Sequence, residues 1–162
     1  MAATVLRMEI NGLPLHPLIV HAVVILGPLA GLTGLAYALV STWRWLLRWP
    51  LVALAIIVAA TALVAVAAGD SLLDSRPELA PLVEDHADWG GLLRIWALAF
   101  VVDALLAAWA LGGPSALASG RGAQESKGTL GWIAMVLLVA GSIGLMVLVF
   151  LTGDSGARAV WG

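Results

Sequence analysis

The chain has 162 residues, 62% of them hydrophobic and only 11% charged, with a formal net charge of −2 and a mean hydropathy of +1.03. A soluble domain is about 45–50% apolar and about 25% charged, so this composition belongs to a membrane protein. The absence of cysteine excludes disulfides, thiolate nucleophiles, chain-ligated iron–sulfur clusters and Cys-based zinc sites, and the slight negative charge gives no electrostatic footprint for nucleic acid.

Residues 1–15 form a short mixed head, in which Asn11-Gly12-Leu13-Pro14 predicts a turn. The first apolar run covers about residues 17–40. It is longer than the apolar core of about 7–15 residues in a secretion signal, so no cleaved signal peptide is expected. Pro17 suits a first helical position, which sets His16 near the N-cap. Gly27, Gly31 and Gly34 repeat at helical spacing and would let another helix approach closely. Pro28 beside them is tolerated in a lipid-embedded helix, with a kink.

The segment Ser41–Trp49 holds Trp43, Trp45 and Trp49 with Arg44 and Arg48, the composition of an interfacial belt with snorkelling cations. The second apolar run, about 50–69, is rich in Ala and Val and ends at Gly69-Asp70-Ser71. Residues 70–89 read as an acidic loop, with Asp70, Asp74, Glu78, Glu84, Asp85 and Asp88 against Arg76 alone. Beyond Pro81 that stretch is also compatible with an interfacial helical turn. The third run, about 90–111, carries Arg94 near its start and Asp103 well inside. A small-residue loop with Arg121, Glu125 and Lys127 leads to the fourth run, about 129–152. Gly141 and Gly144 are its contact positions, and Gly153-Asp154-Ser155 closes it. The two Gly-Asp-Ser segments read as helix C-terminal glycines followed by loop.

These runs predict an all-α integral membrane protein, a four-transmembrane-helix bundle forming one membrane domain over residues 1–162. Runs this long satisfy their backbone in lipid as helices, and the period-two alternation of a membrane barrel is absent. Each half opens with histidine at a helix mouth and closes on Gly-Asp-Ser, which suggests two repeated helix hairpins with a site between them. Four spans put both termini on one side together with the acidic segment. The cations Arg44, Arg48, Arg121 and Lys127 on the other side, against Arg7, Arg76 and Arg158, favour both termini outside the membrane of a bacterial cell.

The three histidines, with Asp70, Asp88 and Asp154, converge on the terminus side. His16 and His21 are about 140° apart around a helix and do not share a face. The expected arrangement has His16 at the cap facing water and His21 pointing inward. His21 and His86, from facing helices, would then be opposed ligands of a b-type haem iron or another metal, as bundle cores provide. His16 is the alternative ligand. Arg94 is a partner for a haem propionate or for Asp88. A carboxylate-rich variant would hold a transition metal with His16, His21, His86 and Asp70 or Asp154. The competing reading has interfacial histidines bonded to the acidic segment and to helix ends. Asp103 lies roughly 20 Å along the third helix. It is either a functional intramembrane acid or an interfacial one near Arg44 or Arg48, with Thr61 and Trp43 as further candidate partners.

At His16-Pro17-Leu18-Ile19-Val20-His21 the chain resembles a bacterial membrane family catalogued as domain of unknown function 2231. Gly69-Asp70 and His86 match its further positions, and the resemblance spans about residues 14–153. Ala22-Val23 stand where that family often has Phe-Pro. The resemblance implies a four-helix membrane domain and this choice of histidines, without an assigned activity; neighbouring Rieske or cytochrome modules in relatives imply a redox setting. The resulting expectation is a small inner-membrane protein that binds haem or a transition metal between its first and third helices and transfers electrons. The alternative is an accessory subunit of a respiratory-type complex or a homo-oligomer, docked through the Gly27–Gly34 stripe. A small proton-coupled transporter using Asp103 is the third reading. Substrate turnover has no supporting constellation.

Overall fold

The computed structural model describes residues 9–10, 13–111 and 128–162. Four long helices dominate: α1 (Leu15–Leu39), α2 (Arg44–Ser75), α3 (Ala80–Ala110) and α4 (Thr129–Trp161). Ahead of α1, Glu9–Ile10 pairs antiparallel with Leu13–Pro14. The turn expected at Asn11-Gly12 and the small-residue loop with Arg121, Glu125 and Lys127 lie outside the described residues. α1 packs on α2 and α4, and α3 packs on the same two helices. The bundle is therefore a square in which α1 and α3 stand on one diagonal.

Each helix is long and apolar enough to cross a bilayer. Large apolar side chains such as Ile25, Val102, Trp109, Val136 and Phe150 face outward, while Tyr37, Phe100, Leu51, Leu138 and Leu145 fill the interior. Helices that are apolar on every side are built for lipid. The interior positions follow alternating steps of three and four residues, the spacing of an antiparallel bundle seam. On α1 the track runs Val23, Gly27, Ala30, Gly34, Tyr37, and on α3 it runs Leu93, Ala97, Phe100, Ala104, Ala107.

The helices exceed the apolar runs at the terminus side. Residues 70–75, expected as loop, belong to α2, and residues 80–89 belong to α3, in line with the helical alternative beyond Pro81; Pro77–Leu79 forms a short turn between them. Hydropathy marks where lipid ends, not where a helix ends. Pro81 sits in the first turn of α3, where proline is tolerated, and nothing before Pro77 obliges α2 to stop. Gly69 and Gly153 are thus mid-helix residues rather than C-terminal caps. At the opposite end α2 begins at Arg44, earlier than expected, because Arg44 is drawn inward. It is buried, its Nε donates to Tyr37 O (3.1 Å) and its second guanidinium nitrogen to Ala38 O (2.9 Å). Those are end carbonyls of α1 that lipid could not satisfy.

The glycine stripe of α1 is spent inside the molecule. A Cβ at Gly27 would lie 2.7 Å from Val149 Cγ2, and one at Gly31 would lie 2.6 Å from Met146 Cγ. The stripe seats α1 on α4 and is not a free docking face. On the other pair, the Trp96 ring covers Gly144 and its Nε1–H donates to Gly141 O (2.9 Å).

Candidate functional site: a pair of opposed imidazoles

His16 extends the interior track of α1 backwards, through Val20 and Val23, by steps of four and three. His86 does the same on α3 through Gly90 and Leu93. The two side chains consequently meet on the diagonal at the terminus end of the bundle. Their Nε2 atoms are 3.5 Å apart. The ring centres are 5.7 Å apart and the planes stand at 87°. With the nitrogens 3.5 Å apart and the centres only 5.7 Å apart, each Nε2 points almost directly at the other.

Both rings are oriented by the neighbouring helix. His16 Nδ1 lies 2.7 Å from Ala65 O on α2, and His86 Nδ1 lies 2.9 Å from Thr152 O on α4. A carbonyl only accepts, so each Nδ1 carries the proton and donates, and the Nε2 of a neutral ring keeps a lone pair. Each ring also approaches a glycine so closely with its Nδ1 and Cε1 atoms that a side chain there would crowd it. A Cβ at Gly69 would be 3.1 Å from His16 Nδ1, and one at Gly156 would be 2.9 Å from His86 Nδ1. The glycine follows the accepting carbonyl by four residues in both hairpins. The internal repeat therefore holds as a local device, with Gly69 equivalent to Gly156. The two Gly-Asp-Ser triplets are one turn out of register.

The opposed pair expected from sequence, His21 with His86, is corrected to His16 with His86. His21 is exposed, off the interior track, and bonded through Nδ1 to Pro17 O of its own helix (2.6 Å). Proximity to the helix mouth suggested that His16 faces water, but α2 and α4 continue past it and enclose it. Asp70 lines a cavity beside the pair. Asp154 instead forms an ion pair with Arg158 (2.8 Å). Arg94 stands about 12 Å deeper along α3 and is absent from the cavity wall. Among the described residues no three His, Asp or Glu side chains come together as a metal cage, so the carboxylate-rich variant is not assembled. Asp103 packs against Gly141 on α4. Of its expected partners, Arg44 is committed to α1 carbonyls and the Thr61 hydroxyl bonds within its own helix, to Ile57 O and Val58 O.

Sequence reasoning missed Gly156 and the carbonyls of Ala65 and Thr152. Backbone acceptors leave no residue-type signal, but the glycine four residues after Thr152 was visible.

The fold and this crossbar define a multi-pass, four-helix membrane protein with two opposed imidazoles at one end. No family model matches the chain, and neither a curated protein nor a solved structure matches it.

Proposed function

We propose that the protein holds a metal centre between His16 Nε2 and His86 Nε2 and passes electrons at that surface of a bacterial inner membrane, with both termini outside. The observation that carries this reading is the head-to-head approach of two nitrogens whose protons are both tied up elsewhere. A neutral pair would press two lone pairs together at 3.5 Å. A positive centre between them removes that conflict. Metal-ligating histidines characteristically donate the other ring N–H to a carbonyl, as both do here. Metal–imidazole bonds of about 2.0–2.1 Å in a straight N–metal–N arrangement need about 4.1 Å between nitrogens, a widening of roughly half an ångström. The metals suited to two opposed imidazoles and no further protein ligand are a haem iron and a two-coordinate copper(I). The haem requires in addition that the helices part around the macrocycle. This reading keeps the expected location between α1 and α3 and changes one ligand. Its role is electron transfer to a redox partner rather than substrate turnover.

The test is the optical spectrum of detergent-purified protein expressed with ample haem precursor and iron, alongside a copper-supplemented preparation. A Soret band with sharp α and β bands on reduction identifies the haem. A colourless protein with one copper per chain identifies the ion. His16→Ala and His86→Ala each abolish the signal, whereas His21→Ala keeps it. A colourless protein without metal in both preparations overturns the proposal.

A further inference from the structure

Beside the histidines lies a cavity of about 150 Å³, the size of an apolar cavity that accepts one benzene ring. Val20, Val23, Ala62, Val66, Val83 and Leu93 supply most of its wall. The surface residues Val24, Asp70 and Ala87 also line it, so it reaches the outside of the bundle. Its polar atoms share one property. Asp70, at its rim, brings a carboxylate that only accepts, and the Nε2 of each neutral ring accepts as well. The donors in the lining are already used: both Nδ1–H groups on Ala65 O and Thr152 O, and the Thr152 hydroxyl on Leu148 O (2.7 Å). The main-chain N–H groups of Gly69, Asp70, Gly90 and Gly153 lie inside helices. An apolar ring fits this volume, and a polar occupant must bring its own hydrogen-bond donor.

We infer that this cavity binds the head of a hydroquinone-class lipid, a dihydroxybenzene on an apolar tail, and prefers its reduced form. A ring hydroxyl donates to the Asp70 carboxylate, which stays available when a metal occupies both Nε2 atoms. The oxidised ring carries only carbonyl acceptors and meets no free donor in this wall. The choice of a redox-active ring rests on the electron-transfer reading above; the binding itself does not need the metal.

The experiment is equilibrium dialysis of the full chain in lipid nanodiscs against decylubiquinol, and separately against decylubiquinone, with metal content measured on the same samples. Decylubiquinol binds saturably and at least tenfold more tightly than the oxidised compound. Gly90→Leu weakens decylubiquinol binding at least tenfold with metal content unchanged, because a side chain at Gly90 enters open space in the cavity. Val66→Phe, filling from α2, repeats the loss should the first variant fold poorly. Asp70→Asn, which adds a donor, narrows the preference between the two forms. Equal binding of both forms by the natural sequence, or undiminished binding in a folded cavity-filling variant, overturns the inference. Selective binding by a metal-free protein supports the cavity and overturns the metal centre alone.

Discussion

The two ends of the bundle join the same diagonal helices, α1 and α3, by side chains, but in opposite electrostatic senses. At the Tyr37 end donors meet acceptors. The Tyr37 hydroxyl donates to Ala107 O (3.5 Å), and Arg44 donates to Tyr37 O and Ala38 O. That arrangement acts as a lock. At the His16 end two neutral rings set acceptor against acceptor, because the Ala65 and Thr152 carbonyls each take an Nδ1 proton. That end also holds the cavity lined by Asp70 and both histidines.

Variants at the two ends separate their roles. The largest effect is expected for His16→Ala or His86→Ala, each losing the bound metal altogether, while thermal unfolding of the metal-free protein shifts little. Arg44→Ala does the reverse. It strands two carbonyls at a cost of about 2–4 kcal/mol, read as a lower unfolding temperature in detergent, with metal per chain unchanged. Gly69→Ala and Gly156→Ala push a methyl group into the ring above. Metal affinity then falls about 10–100-fold, the usual cost of disturbing what orients a ligand, as measured by competition with a chelator or apo-haem acceptor. Tyr37→Phe removes one long hydrogen bond and costs at most about 1 kcal/mol in the same unfolding assay. If Arg44→Ala strips the metal, or His16→Ala collapses the fold, the division between the ends is wrong.

Much of this was legible in the residues. Four apolar runs gave the number of helices, and the exposed Ile25, Val102 and Phe150 agree with their lipid setting. The choice between His16 and His21 was also available. Counting back from Gly34 and Gly27 by fours and threes reaches Val23, Val20 and His16, and never His21. What misled was the position of His16 beside Pro17, which looked like a mouth open to water. The ends of α2 and α4 decide this, and hydropathy does not report them, since a helix continues into water beyond its apolar run, as α2 does through Asp70 and Asp74. The Gly-Asp-Ser triplets suggested a repeat in the wrong register, because the true correspondence is carried by carbonyl positions and one glycine. The stripe at Gly27, Gly31 and Gly34 signalled close helix contact, yet spacing alone does not say whether the neighbour is α4 or another protein.

Whether His16 and His86 together hold one positive metal centre is read by elemental analysis for iron and copper on the natural protein and on the His16→Ala/His86→Ala double variant, purified in parallel from metal- and haem-supplemented cells. One iron or one copper per chain is expected in the former and none in the latter, with the His21→Ala protein matching the natural one. Equal metal in the natural protein and the double variant, or none in either, rules the shared centre out.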